Sequence, residues 1–253
     1  MRNQDRHSKF PIPDSTFRVA VVFALPAEFA PWRRRHAFRP AGAKTQQAFD
    51  AQIGTAQVRV VFSGIGAPVP DVLEQTLFAA RPDVVIVAGA AGGLKPQYRC
   101  GDVVVASRVK TPGSSRVVAA DARMLMLASP CGASVVDAFL TLDRMVLRAD
   151  EKAALGREAD AVDMESFVVI DEAISRGIPA IAIRVIADAA DEDLPLDFTW
   201  ALRRDGTISL WRAIGQAMSR PARWPRIVRA GLSYGRALEE LAIFLDRFVA
   251  ALM

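Results

Sequence analysis

Short runs of consecutive apolar residues constrain this chain more than any other feature. They are Arg18 to Leu25, Val58 to Ser63, Asp83 to Ala88, Asp102 to Ser107 and Ile178 to Ile186. Runs rich in Val and Ile that do not alternate with polar positions are what strands covered on both faces of a sheet look like. Helix-length segments lie between some of them. Pro68 to Ala80 opens on prolines suited to a first turn and places Val72, Leu73, Leu77 and Ala80 at helical spacing. Glu165 to Arg176 places Phe167, Ile170 and Ile174 on one face and stops at Gly177, a normal terminator. The alternation predicts an α/β fold with a largely parallel sheet. A chain of 253 residues is long enough for one large core of that kind.

Several function classes drop out. Val84 to Leu94 is apolar but holds Gly89, Gly92 and Gly93 and is far shorter than the roughly 20 residues of a membrane span. Phe17 to Leu25 is too short for an export signal. Cys100 and Cys131 have no Cys-x-x-Cys partner, and His7 and His36 are the sole imidazoles, so no zinc site or disulfide framework is expected. A reducing, cytoplasmic compartment is the simpler expectation. Gly64-Ile65-Gly66 lacks the third glycine of a dinucleotide fingerprint, since position 69 is Val69, and no Gly-Lys-Ser/Thr phosphate loop is present.

The net charge of +4 is unevenly spread. From Phe198 to Arg236 there are eight Arg against one acid, Asp205, so this stretch carries +7 and leaves the rest of the chain at −3. Trp200, Trp211 and Trp224 lie in it too. Arg with Trp suits an anionic membrane surface, a nucleic acid or a partner, and equally suits solvated helix faces. No recognised nucleic-acid motif accompanies the charge, so nucleic acid is not an expected partner. Beyond it, Ser209 to Met218 and Trp224 to Met253 read as helices separated by Pro221 and Pro225. Leu238, Leu241, Leu245 and Phe248 form the apolar stripe of the second.

In open α/β sheets, ligands bind beyond the carboxyl ends of the strands. Glu28, Glu165 and Asp188 all fall at such places, which raises them above an ordinary helix cap or turn acid. Arg184 lies inside an apolar strand, where an unpaired guanidinium is very costly, so it requires a carboxylate or a ligand. Gly89-Ala90-Ala91-Gly92-Gly93 reads as a turn, either plain or one where the backbone closely approaches a small ligand.

These blocks carry a resemblance. Ser63-Gly64-Ile65-Gly66, Arg81-Pro82-Asp83-Val84-Val85-Ile86, Ala88 to Leu94, Gly101-Asp102-Val103-Val104-Val105, Ala161-Val162-Asp163-Met164-Glu165 and Arg184-Val185-Ile186-Ala187-Asp188 resemble the nucleoside phosphorylase/nucleosidase superfamily. Their order and spacing are most similar to the branch containing methylthioadenosine/S-adenosylhomocysteine nucleosidase, over about residues 18 to 192. The resemblance implies a three-layer α/β/α sandwich around a mixed, partly barrel-like sheet. It implies that Asp188 is the general acid that protonates nitrogen 7 of adenine and that Glu28 is the base that activates water. It assigns Met164 and Glu165 to the ribose, Arg184 to the water and ribose, Gly92 to the base, and Ala90 to a substrate-binding position near the nucleophile. Met145 and Val146 are assigned to the loop lining the adenine pocket.

Some positions depart from the family pattern. Ala90 and Ala187 stand where the family has serines, and Lys110 to Leu140 is divergent. The phosphorylases' Gly-Asp-Pro-x-Arg segment is absent, which favours water over phosphate as nucleophile. A phosphate-dependent phosphorylase and a silent nucleoside-binding protein remain the alternatives. The Val-Asp-Met-Glu-Ser form of the ribose motif and the long C-terminal segment resemble hopanoid-associated members of the superfamily. That likeness implies an adenosylhopane-like substrate as well as small 5′-thioadenosines, and peripheral membrane contact through residues 200 to 229. No cofactor or metal is expected, and a homo-oligomer is implied, with Val69 to Phe78 either at its interface or facing the sheet. The expected organisation is a disordered leader over 1–16, a catalytic domain over 17–192 and a basic helical extension over 193–253 packed on the same domain.

Overall fold

The computed structural model describes residues 17–41, 48–64, 77–194 and 224–253. The leader, residues 68–76 of the helix expected over Pro68 to Ala80, the helix at Ser209 to Met218 and most of the Arg-Trp stretch lie outside the described residues. So do the Gly64-Ile65-Gly66 loop beyond Gly64 and most of the Val69 to Phe78 region.

In chain order, β1 (Arg18–Phe23) leads into α1 (Pro26–Arg35), then β2 (Arg39–Pro40), β3 (Ala48–Ile53), β4 (Ala56–Phe62) and β5 (Val84–Gly93). Next come β6 (Val103–Lys110), β7 (Val117–Ala119), α2 (Ala122–Cys131), β8 (Ser134–Thr141), α3 (Ala149–Leu155) and β9 (Ala161–Asp163). The last elements are α4 (Ser166–Ser175), β10 (Ala180–Asp188) and α5 (Trp224–Ala251). The sheet is mixed. Parallel pairs join β4 to β1, β1 to β5, β5 to β10, β6 to β8 and β8 to β9, and antiparallel pairs join β10 to β6 and β5 to β9. Strands β5, β10, β6, β8 and β9 therefore pair in a closed circuit, and β1, β4, β3 and β2 continue outward from β5.

The consecutive apolar positions have the meaning the sequence suggests. Val19, Val21 and Phe23 of β1 face one core with Phe29 and Trp32 of α1, Met124 of α2 and Leu238, Leu241, Leu245 and Phe248 of α5. Ala20 and Val22 face the other, with Val169, Ile170 and Ala173 of α4. Helices thus cover both faces of the sheet, as a three-layer α/β/α sandwich. The helix α5 is one wall of the first core, and its stripe is buried as expected. A polar clamp fixes it to α1: Asp246 accepts hydrogen bonds from Trp32 Nε1 at 2.7 Å and Arg35 Nε at 2.6 Å, and His36 Nε2 lies 2.6 Å away. Burial pushes the Asp246 carboxyl up, but these partners outweigh it and hold the group below the usual carboxylate range.

The glycine-rich segment departs from its expected place. Gly89 to Gly93 do not form a turn; they are the second half of β5, paired with β10 on one side and β9 on the other. Small residues here keep the strand regular while letting side chains from neighbouring elements press against its backbone. Among the described residues, no helix is long and apolar enough to cross a membrane.

Candidate active site

Glu28 stands in the first turn of α1, after Pro26, and its carboxylate folds back onto the chain that precedes the helix. Oε2 accepts from the Ala24 and Leu25 amides, each at 3.1 Å, in the manner of a capping box. Oε1 reaches 62 residues along the chain to the Ala90 amide at 2.9 Å. The residue is buried. Burial pushes its carboxyl above the ordinary value, and Arg184 and the three amides oppose that without cancelling it.

Arg184 lies in the middle of β10 with 0% of its surface exposed. The carboxylate partner its position requires is supplied by the Val-Asp-Met-Glu-Ser run. Its Nε donates to Asp163 Oδ2 at 3.0 Å, and its Nη2 to Ser166 Oγ at 3.0 Å and Glu165 Oε2 at 3.4 Å. Burial works against the guanidinium charge, but Asp163, Glu165 and Glu28 together raise it. Glu165 precedes the first residue of α4, yet its side chain makes no capping bond and turns toward Arg184 instead. Asp163 is held in turn by Thr141 Oγ1 at 2.7 Å and the Ser166 amide at 3.3 Å. Nη1 of Arg184 is buried without a hydrogen-bond partner among the described residues.

Gly89 explains how Arg184 and Glu28 come together. A Cβ at this position would lie 2.5 Å from Arg184 Nη1 and 2.8 Å from Glu28 Oε1, so both charged groups press on the same point of β5. Gly89→Ala is expected to destabilise the fold by about 1–3 kcal/mol, read in urea melts, because Arg184, Glu28 or the backbone of β5 must shift to admit the methyl group.

Asp188 closes β10, just past a register irregularity that follows Ile186, and pairs with Gly92. A Cβ at Gly92 would sit 3.4 Å from Asp188 Oδ2. The carboxylate meets Lys152 of α3, whose side chain is completely buried. The Lys152 ammonium donates to Asp188 Oδ2, to the Ala189 carbonyl at 2.9 Å and to the Glu192 carbonyl at 2.7 Å. Burial raises the Asp188 carboxyl above its ordinary range, Lys152 pulls it back, and Glu192 adds to the rise.

The in-register pairs Gly89 with Arg184 and Gly92 with Asp188 set the span of the site. Three residues of extended chain cover roughly 10 Å. Glu28, Arg184, Glu165 and Asp163 gather at one end of that span and Asp188 with Lys152 at the other.

The remaining expected residues fall nearby. Met164 is half-buried beside Glu165. Ala90 contributes its amide to Glu28, while Met145 is half-buried. Val146 is buried with Leu94, Leu142 and Val162 in a small apolar cluster, and Val162 Cγ1 borders the open side of Gly92. Four participants were not anticipated as site residues. Asp163 was visible as an acid inside a buried run. Gly89 was visible as a glycine. Lys152 looks like an ordinary helix-surface charge. Tyr234 of α5 is the fourth: burial drives its phenol well above the ordinary value, and Glu28 and Glu165 add to the rise while Arg184 opposes it. A helix expected to pack on the sheet thus brings an aromatic side chain to the electrostatic neighbourhood of Glu28. No group of His, Cys, Asp and Glu among the described residues has an arrangement suited to a metal ion.

Comparison with known proteins agrees with this architecture. A 5′-methylthioadenosine/S-adenosylhomocysteine nucleosidase of an Exiguobacterium species is 28% identical, across 59% of this chain and 75% of its own length. The Helicobacter pylori nucleosidase of the same name, solved with butyl-thio-DADMe-Immucillin-A, superposes with a TM-score of 0.68 at 18% identity, covering 94% of this chain and 99% of that one. A futalosine hydrolase mutant from Helicobacter pylori also gives 0.68, at 17% identity, covering 92% and 99%. At these identities the structural likenesses show the fold. A family profile described as the phosphorylase superfamily matches residues 18–208. With three quarters of its length inside that match, the chain belongs to the phosphorylase superfamily.

Proposed function

We propose that the protein hydrolyses the N-glycosidic bond of an adenine nucleoside carrying a 5′ substituent and releases adenine. The observation that carries this reading is the buried carboxyl of Glu28 and the half-buried carboxyl of Asp188, at opposite ends of a roughly 10 Å stretch of β5. Such a spacing suits a nucleoside with its base at Asp188 and its sugar at Glu165 and Arg184.

The chemistry then needs two proton movements. Asp188, protonated, gives its proton to nitrogen 7 of the purine while the bond from C1′ to nitrogen 9 breaks and its electron pair passes to the base. An oxocarbenium-like sugar remains. Water adds to C1′, and Glu28 takes the proton that the water loses. The rate requires Asp188 protonated and Glu28 ionised, so the pH profile is bell-shaped.

Charge favours water as the nucleophile. Arg184, with Asp163, Glu165 and Glu28 arranged around it, is outnumbered by carboxylates, and a phosphate dianion entering there meets net repulsion. A neutral water does not.

For the finer substrate, the Val162 to Ser166 motif and the basic C-terminal stretch support a lipid-linked adenosine such as adenosylhopane, met at a membrane surface, beside 5′-thioadenosines. The test is adenine release from a panel of 5′-substituted adenosines, with and without phosphate and with and without anionic vesicles. Free adenine and free sugar, independent of phosphate, are expected. Ribose 1-phosphate as product would point to a phosphorylase, and tight binding without turnover to a nucleoside-binding protein. In the same assay, Gly89→Ala is expected to lower kcat about 100-fold, because displacing Glu28 and Arg184 by fractions of an ångström spoils the approach of the water.

A further inference from the structure

We infer that Lys152 is the positioning residue of the proposed general acid: by occupying Oδ2 of Asp188 it leaves Oδ1 as the oxygen that carries and delivers the proton. The inference rests on the glycosidase reading of this site. An ammonium has donors and no lone pair, so the oxygen it holds must act as an acceptor and cannot at the same time bear a proton directed at Lys152. Asp188 Oδ1 takes no hydrogen-bond partner among the described residues, and it is not one of their fully buried unpartnered atoms, so it keeps accessible surface from which a ligand can be met. The geometry therefore distinguishes two chemically equivalent oxygens before any substrate arrives.

Lys152 is built for that purpose more than for general stability. It is completely buried on a helix whose other charged residues, Asp150 and Glu151, are solvent-facing or half-buried. Its three acceptors all belong to Asp188 and the turn that follows, at Ala189 and Glu192. That turn is closed onto the start of α3 by the Leu194 amide on the Leu147 carbonyl and the Ala149 amide on Asp193 Oδ1. The loop of Met145 and Val146, the proposed adenine-lining segment, leads directly into this helix. The position of the acid is thus fixed relative to the same element that would hold the base. When Asp188 gives up its proton, the carboxylate left behind already faces the Lys152 ammonium, so the donor is strengthened at the moment of transfer.

Among the described residues, the other titratable groups facing Asp188 are Glu192 and Cys100. Glu192 acts in the opposite sense to Lys152, and a thiol is neutral in the relevant range, so loss of the lysine charge moves the acid in one direction.

The experiment compares wild type, Lys152→Met, Lys152→Gln and Lys152→Arg. It reads the pH profile of kcat/KM for adenine release and, independently of turnover, the titration of the Asp188 carboxyl by isotope-edited infrared spectroscopy, assigned by difference from Asp188→Asn. In Lys152→Met the Asp188 midpoint and the alkaline limb of kcat/KM are expected to move upward together by about one pH unit or more. The maximal kcat should fall about 10- to 100-fold, with KM changed less than about threefold, and the arginine variant should recover part of the loss. The glutamine variant keeps donors for the two carbonyls without the charge, so it carries the test if the methionine variant does not fold. An Asp188 midpoint that stays put in a folded neutral variant, or a neutral variant with wild-type rate and profile, overturns the proposal. A wild-type protein that releases no base, with Asp188 still responding to residue 152, overturns the glycosidase reading while supporting the control of this carboxyl by Lys152.

Discussion

Asp188→Asn is expected to reduce adenine release by about 1,000-fold while leaving the fold within about 1 kcal/mol of wild type. The amide has the shape and charge of the protonated acid, and its oxygen still accepts from Lys152, so the packing around Gly92 is preserved. It has no proton acidic enough for the base. The variant should also lose a pH dependence. Because burial lifts the Asp188 carboxyl in the folded state, wild type binds the proton more tightly folded than unfolded. The stability from this group is present in acid and is lost as pH rises from the ordinary value of 3.8 through the folded one. Paired urea melts across that window should show wild type losing this contribution and the amide variant lacking it. A variant that releases adenine at the wild-type rate would remove Asp188 from the role of acid.

The largest effect on stability is expected from Arg184→Met. This one guanidinium faces Asp163, Glu165 and Glu28, all buried, and its removal leaves those carboxylates without their cation. Breaking a buried ion pair from one side costs about 3–5 kcal/mol, and the residue sits at the centre of β10, where no rearrangement of the strand brings in water cheaply. The deficit should shrink in acid. Arg184 opposes the burial that raises the Glu28 carboxyl, so its removal lifts that carboxyl further in the folded state, and the stability from this group is recovered as pH falls and lost as pH rises through the folded value. Melts near pH 5 and pH 8 check this: the gap between wild type and variant should be clearly wider at pH 8. Equal stabilities at pH 8 would mean that the carboxylates do not depend on Arg184. Adenine release should be undetectable in either condition, since Glu28 loses the group that shares Gly89 with it.

What the sequence disclosed follows from which forces act locally. The buried strands were readable because Val19 to Phe23, Val84 to Ala88 and Ala180 to Ile186 are apolar on both faces, a pattern that solvent-facing structure does not tolerate. Strand β8 was hidden because Ser134, Val135 and Asp137 in its first half are exposed and only its second half is buried throughout. The glycines of β5 looked like a turn because backbone freedom and close approach leave the same residue behind, and only three-dimensional neighbours tell them apart. For the site, Arg184 announced a missing partner, since a charge inside a strand is a debt that some acid must settle. Lys152 announced nothing. Its neighbours Ala149 to Leu155 read as any short surface helix, and its burial depends on contacts with Asp188, Ala189 and Glu192 about 40 positions away. Tyr234 was equally silent, because proximity to Glu28 is a property of how α5 crosses the sheet.

The clamp between Trp32 and Asp246 has a meaning for the order of events during synthesis. Its two residues are 214 positions apart, so α1 stays unfastened until the ribosome has made and released nearly the whole described chain. Glu28 rides on α1. A nascent chain can form β1, β4 and β5 early, yet the helix bearing Glu28 acquires its final seat only when α5 docks. Competence for the proposed chemistry is therefore expected to appear abruptly once α5 has been made and docks, and chains stopped before α5 should hold adenosine analogues weakly and leave them uncut.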